Sequence, residues 1–520
     1  MTAMTAMTAA TPIAAAPAAT RFAALTEEQA TAIDAASDLS AGAGLRVRAG
    51  AGTGKTSTLL AMASALAPAR GIYLAFNRTV AAEARAKFAE TPCRPMTFHG
   101  LCLGAVQGLI SGGPARYDVR ADILEAGLLE PHRRAIPRGW SDFAVGLAAM
   151  RTFEAFAMSA ARAVGANHAR MAVVAATGDP DALTARGAAK RAARAVGALT
   201  PVLVQIAAAF WQARLADRRF SHDAYVKAVH LDAGLSARAF AGVDYVMVDE
   251  AQDMNPVQVA ILRAAGVSVI AVGDSAQSIH GWRGAVDALD QFQGEIVTLS
   301  RSFRFGADIA GLANRVLGRA PCHMGGIRLV GAGGAQALPA GVPAHAVLAR
   351  SNMGLISEAG EMHARGFRFH LDRAEDLVAQ LASAKALRAG RPGDVRAPDL
   401  RPFRTWEDLV EESEGNPAMS RIVQIVEEGR VASVSAMARA SRPMESAEVC
   451  LMTAHRAKGL EFGAVKMAAD WADLDELDER FARAQAVSAA AQVQARQEFN
   501  TLYVALTRGI QRVVGAEDLL

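Results

Sequence analysis

Short apolar runs that break off at polar or glycine-rich corners alternate along this chain with longer alanine-rich stretches. That alternation predicts parallel strands joined by crossover helices. The strand-like runs are Leu45 to Ala49, Ile72 to Phe76, Tyr245 to Val248 and Val267 to Val272. A second series follows at His345 to Ala349, Val449 to Met452 and Val465 to Ala468, so two α/β cores are expected. Over 103–220 the strand signals vanish and helix formers dominate, with Gly112 to Pro114 and Gly178 to Pro180 as punctuation. This predicts a helical insertion in the first core, and a second change of character over 390–443 predicts a short insertion in the second. The first core would then comprise 21–102 and 221–300, and the second 301–389 and 444–520.

Composition narrows this picture only at the margins. A chain of 520 residues with 52% hydrophobic and 21% charged positions is neither collagen-like nor wholly disordered. Its net charge is +3, so a nucleic-acid footprint would have to be local. Residues 1–20, rich in Ala, Thr and Pro with no Lys or Arg ahead of an apolar run, fail as a signal peptide and are expected to be a disordered tail. Cys93, Cys102, Cys322 and Cys450 are too scattered for a disulfide framework or a zinc site and suit a reducing cytoplasm. No uninterrupted run of about 18 apolar residues occurs, so no membrane partner is expected.

The strongest chemical signal is AGAGTGKT, Ala49 to Thr56, between the Leu45 strand and a helix opening KTSTLLAMASALA. Small residues at Ala49, Gly50, Ala51, Gly52, Thr53 and Gly54 let backbone N–H groups curl around phosphate oxygens. Lys55 would neutralise the β and γ phosphates of ATP and Thr56 would ligate Mg2+. The first position is Ala49, where the general pattern has Gly. In DYVMVDEAQDM, Asp249 and Glu250 emerge from a buried strand at the edge where open parallel sheets bind ligands. Asp249 would serve the metal and Glu250 would deprotonate the attacking water, although a solvated acidic turn has the same composition.

Further blocks make the resemblance specific: LTEEQ (Leu25 to Gln29), YLAFNRTVAAEA, TFHG, VGDSAQSIHGWRGA, LSRSFRF, VLARSN, LMTAHRAKGLEF and LYVALTRG, in that order. The chain resembles superfamily 1 helicases of the UvrD/Rep/PcrA class. AFNRTVAAEA, SHDAYVK and AHRAKGLEF are closer in wording to the F-box DNA helicase branch, without a preceding F-box segment. The resemblance implies two RecA-like parallel-sheet cores, each with a mainly helical insertion, and an ATP-hydrolysing DNA helicase acting in repair or recombination with 3′ to 5′ polarity. It implies that Gln29 reads the adenine, Phe303 stacks on it, Glu461 meets the ribose and Gln277 senses the γ-phosphate. Arg304 and Arg508 become arginine fingers from the second core, although an isolated Arg508 would read as a surface arginine.

The DNA track implied by the same blocks runs over Phe76, Asn77, Thr97, His99, His280, Trp282 and Arg283 on the first core. From the second it takes Arg350, Ser351, Asn352, Thr453 and His455. Aromatic platforms with backbone contacts are what single strands need, although Trp282 also reads as a core filler and Phe76 as a strand end. His280 stands where UvrD enzymes commonly have Tyr. The 390–443 insertion is shorter than theirs, and the chain ends soon after Arg508, where they continue into a strand-separating hairpin. Translocation on single-stranded DNA is thus a firmer expectation than opening of tailed or forked duplexes. An alternative remains: a DNA-gated regulatory ATPase working beside a partner nuclease or repair protein.

Overall fold

The computed structural model describes residues 25–520 apart from 111, 139, 178–185, 280, 282–286, 322–325, 335–336, 340, 414–416 and 488, so the tail expected at 1–20 lies outside it. The first sheet contains β1 (Gly44–Ala49), β2 (Gly71–Ala75), β3 (Cys93–Thr97), β4 (Tyr245–Val248), β5 (Ser268–Gly273) and β6 (Glu295–Leu299). All its pairings are parallel, in the order β3-β2-β4-β5-β1-β6. Its interior strands β2, β4 and β5 are buried on both faces, which is why they read as continuous apolar runs, while β1 alternates buried and half-buried positions with Arg46 and Arg48 on the latter. Tyr73, Met247 and Ile270 join one core with Leu59 and Met62 of helix Lys55–Ala65, while Ile72, Leu74, Val246 and Val248 join another with helix His222–Leu231.

A ribbon of β7 (Arg301–Ser302) and β8 (Val330–Gly331) follows β6 directly. The second sheet contains β9 (His345–Ala349), β10 (Phe369–Leu371), β11 (Val449–Thr453), β12 (Phe462–Met467) and β13 (Gly509–Val514), parallel throughout in the order β10-β11-β9-β12-β13. The fold is thus α/β with two parallel-sheet cores of RecA-like type.

The strand expectations need correction at the sheet edges. β3, β6, β10 and β13 are all edge strands, and none gave an apolar run. β3 reads CRPMT and carries Pro95, a residue confined to edges because it cannot donate to a ladder. β6 opens on exposed Glu295 and Ile296, and β13 carries Gln511 and Arg512. The expected Ile72 to Phe76 strand stops at Ala75, and the expected Val465 to Ala468 strand starts earlier, at Phe462.

Between β3 and β4 the chain is helical, including Asp142–Met158, Ala166–Thr177 and Arg186–Asp217. Ser141 caps the first of these by accepting from Ala144 N–H. Phe153 packs at 4.9 Å from Phe210, with Tyr117 and Trp211 close by. Phe153→Ala should cost about 3 to 5 kcal/mol of unfolding free energy; a denaturant titration showing under 1 kcal/mol would mean the ring is not a packing centre. One helix among the described residues, Ala193–Asp217, is long and apolar enough to cross a membrane by length and composition. Its Leu199, Leu203, Ile206, Phe210 and Trp211 lie in the protein core.

Helices Trp406–Ser413, Pro417–Glu427 and Val431–Arg439 form the corresponding segment of the second half. The two helical segments touch. Arg151 pairs with Glu412, Arg120 lies 3.4 Å from Asp408, and Phe143 meets Phe403 edge-on at 5.7 Å.

Candidate active site

Three adjacent strands of the first sheet, β4, β5 and β1, end in Asp249-Glu250, Asp274 and the Ala49–Thr56 loop respectively. Ala49 closes β1, and Gly50 N–H donates to Leu299 O at 3.1 Å, tying the loop to β6. Thr53 Oγ1 donates to Gly50 O at 2.9 Å and fixes the curl. Gly52 and Gly54 take φ of 74° and 80°, the left-handed region that favours glycine. A Cβ on Gly52 would also fall 2.5 Å from Ser302 Oγ and 2.6 Å from Arg304 Cβ. Glycine here serves the approach of the second core as well as the turn.

Lys55 opens the following helix with its Nζ 3.7 Å from Glu250 Oε1, and Thr56 stands next to it. Asp249 is 8% exposed, so its carboxyl is buried rather than solvated, while Glu250 is half-buried. Tyr73 Oη donates to Asp249 Oδ2 at 2.5 Å, and Tyr73 also bonds the Thr56 hydroxyl. Burial, reinforced by the neighbouring Glu250, pushes the Asp249 carboxyl up to about 6. A buried carboxylate sharing a phenol with a threonine hydroxyl is a hard-oxygen donor set, and it suits Mg2+.

Glu250 has the opposite balance. Burial works against its charge, but Lys55, Lys458, Gln252 and Arg508 outweigh that and hold it down at about 2. It is the more acidic member of the pair. Its backbone lies at φ 55°, a costly conformation for a non-glycine residue, kept where the surroundings enforce it. Gln252 Nε2 donates to Glu250 Oε2 at 2.5 Å and its Oε1 accepts from Asp274 N–H at 3.0 Å, so one buried amide joins two strand ends.

The second core forms the opposite wall. Phe303 N–H donates to Gly52 O at 2.8 Å. Arg508 is 1% exposed, against the surface alternative, because its Nη2 donates to Gln277 Oε1 at 3.2 Å and its Nε to Val504 O at 3.0 Å. Burial and the adjacent Arg304 lower its pKa to about 9, leaving it cationic at neutral pH. Arg304 Nε donates to Glu461 Oε1 at 2.7 Å and its Nη1 to Thr507 O at 2.9 Å. Glu461, expected at a ribose, thus pairs in this structure with Arg304, itself expected as a finger.

Lys458 was not among the expected site residues although it lies in AHRAKGLEF. Its Nζ meets Asp253 Oδ2 at 2.5 Å and Gln277 O at 2.6 Å, forming a buried ion pair across the two cores. Lys458→Met strands the Asp253 carboxylate, a loss worth up to about 3 to 5 kcal/mol for a buried pair. The variant should favour the open cleft, visible as a longer mean distance between dyes on the two cores; an unchanged distance would show the pair to be neutral.

Gln29 and Phe303 flank the far end of the loop. A Cβ on Gly54 would lie 3.1 Å from Gln29 Nε2 and 3.8 Å from the Phe303 ring. Gln29 Nε2 donates to Thr58 Oγ1 at 3.1 Å and its Oε1 accepts from Thr26 N–H, while Phe303 is 47% exposed and open to a planar group.

The residues expected on a DNA track fall at other strand ends of both sheets. Phe76 is 44% exposed beyond β2, and Asn77 caps helix Arg78–Lys87. Thr97 caps helix Phe98–Val106 after β3, and His99 Nε2 lies 3.5 Å from Asp223 Oδ1 in SHDAYVK. On the second core, Arg350 follows β9, and its guanidinium is held by Glu498, a partner that sequence reasoning missed. Ser351 donates to Asp470 and caps helix Asn352–Ala364, which Asn352 opens. Thr453 ends β11, and His455 is driven down to about 4 by burial and Arg350, so it is neutral. His280, Trp282 and Arg283 lie outside the described residues.

Residues 190–295, which carry Asp249, Glu250 and Gln277, match the UvrD/REP helicase N-terminal domain. The chain is 27% identical over 499 residues to F-box DNA helicase 1 of Gallus gallus, covering 89% of this chain and 46% of the relative. It is 26% identical over 545 residues to F-box DNA helicase protein 1 of Schizosaccharomyces pombe, covering 94% and 57% respectively. A shorter stretch of 81 residues is 37% identical to DNA helicase II of Haemophilus influenzae, over 14% of this chain and 11% of that one. The chain spans about half the length of the two F-box relatives. These matches make the chain similar to proteins of the UvrD-like helicase branch.

Proposed function

We propose that this chain is an ATP-driven single-stranded DNA translocase and DNA helicase of 3′ to 5′ polarity, working in repair or recombination. The observation that carries the reading is the division of one crevice between two cores. Lys55 and Glu250 belong to the first, Arg304 and Arg508 to the second, and Gln277 meets Arg508 across the gap. Phosphoryl transfer spreads charge over the equatorial oxygens, so the site is complete only with both walls present. Mg2+ held by Thr56 and Asp249 would neutralise phosphate charge.

Ala454 to Glu461 carries the chain from the carboxyl end of β11 to the amino end of β12. It links His455 on the track to Lys458 and Glu461 beside the nucleotide. Closure on ATP and release after hydrolysis would therefore change the spacing between Phe76, Asn77, Thr97 and His99 on one core and Arg350, Ser351, Asn352 and Thr453 on the other. His280, Trp282 and Arg283 complete the proposed track.

ATP turnover measured with and without single-stranded DNA, followed by unwinding of 3′- and 5′-tailed duplexes, tests this. The expected result is DNA-stimulated hydrolysis and strand release from the 3′-tailed duplex only. Stimulated hydrolysis without strand release would favour a regulatory ATPase acting beside a nuclease. Lys55→Ala should lower kcat by about 10²- to 10³-fold or more while leaving DNA binding in place; undiminished turnover would refute the phosphate role.

A further inference from the structure

We propose that the Tyr503 hydroxyl is a latch from the second core onto the phosphate loop, positioning that loop against the Asp274–Gln277 turn for hydrolysis. The catalytic part of this inference rests on the ATPase reading above; the latch itself does not.

Tyr503 lies on helix Ala489–Leu506 of the second core and is fully buried. Its Oη accepts from Ala51 N–H, inside the AGAGTGKT loop, at 3.2 Å and donates to Asp274 Oδ2 at 3.1 Å. Asp274 also takes Gln277 Nε2 at 2.5 Å and Ala276 N–H at 3.1 Å. Gln277 in turn accepts from Arg508. An unbroken chain of hydrogen bonds therefore runs from the phosphate loop, through a residue of the opposite core, to the finger arginine.

The same helix grips the turn a second time. Asn500, three residues earlier and so on the same helical face, donates to Ser278 O at 2.9 Å and to Ser275 O at 3.3 Å. The Tyr503 ring packs into the apolar core of the second half. Packing and hydroxyl are thus separable: phenylalanine keeps the first and removes only the second. Removing the hydroxyl leaves a buried N–H and a buried carboxylate each short of a partner. Tyr503 is a positioning residue, since the atoms it touches are loop backbone and Asp274.

The test compares Tyr503→Phe with the parent protein by hydrogen–deuterium exchange and by steady-state ATP hydrolysis on single-stranded DNA. Exchange over 49–56 should quicken about tenfold, with strands β9 and β12 unchanged. kcat should fall about tenfold, with KM for ATP within about twofold, because the hydroxyl acts on loop geometry rather than on nucleotide contact. Asp274→Asn, which weakens the chain from its other end, should quicken exchange over the same residues. Parental exchange at 49–56 in folded Tyr503→Phe overturns the latch, and parental kcat with quickened exchange overturns its positioning role. If the parent hydrolyses no ATP while exchange still quickens, the latch stands and the ATPase reading falls.

Discussion

Replacing Arg508 by alanine should lower kcat by about 10³- to 10⁵-fold, the range that one finger arginine supplies to phosphoryl transfer. The structure gives the reason for so large an effect at a residue far along the chain from the phosphate loop. Arg508 is fully enclosed, cationic at neutral pH, and aimed at Gln277 across the crevice. Burial of a guanidinium beside Arg304 is unfavourable in itself, so the arrangement is held by Glu250, Glu461 and the Val504 carbonyl. Arg508→Lys retains charge and much of the volume yet loses the planar fork, and should recover little of the rate. Nucleotide binding should survive in both variants, because Lys55 and the loop amides belong to the other core. Turnover within tenfold of the parent in folded Arg508→Ala would remove Arg508 from the reaction.

Glu250→Gln should lower kcat by about 10²- to 10⁴-fold while ATP remains bound. The side chain is held ionised and 3.7 Å from Lys55, as a base for the attacking water must be. Glutamine preserves size and can still meet Gln252, but it cannot take a proton. The variant should therefore accumulate in the ATP-bound, closed form, and a filter-binding assay would show one nucleotide retained per chain long after the parent has released product. Rapid turnover by this variant would assign the base elsewhere.

The sheet interiors were legible in the sequence and the edges were not. β2, β4, β5 and β9 are buried almost throughout and announce themselves as apolar runs, whereas β3, β6, β10 and β13 carry Pro, Glu, His or Arg at positions that solvent or a loop accepts. At the site, residues whose role follows from local chemistry could be picked out: Lys55 after a glycine-rich loop, and Asp249 and Glu250 at a strand end. What spacing alone could not give is the pairing between distant segments. Glu461 lies against Arg304 and Glu498 against Arg350 through the folding of the second core, more than a hundred residues apart in sequence, and Lys458 meets Asp253 across the two cores. Asn500 and Tyr503 were missed for a related reason: a buried polar group inside an apolar or alanine-rich pattern looks like an interruption until its partner across the crevice is known, and Gln252 was missed because its partners are the ends of two strands.

One nucleotide cycle should close and reopen the crevice between the two cores. Its most direct measurement is energy transfer between dyes on exposed Glu83→Cys of the first core and exposed Ala482→Cys of the second, in a background with the native cysteines replaced. With single-stranded DNA present, the distance should shorten on adding a non-hydrolysable ATP analogue. It should return to the longer value with ADP, and the nucleotide-driven change should be lost in Lys55→Ala. One distance common to the nucleotide-free, ATP-analogue and ADP states would contradict it.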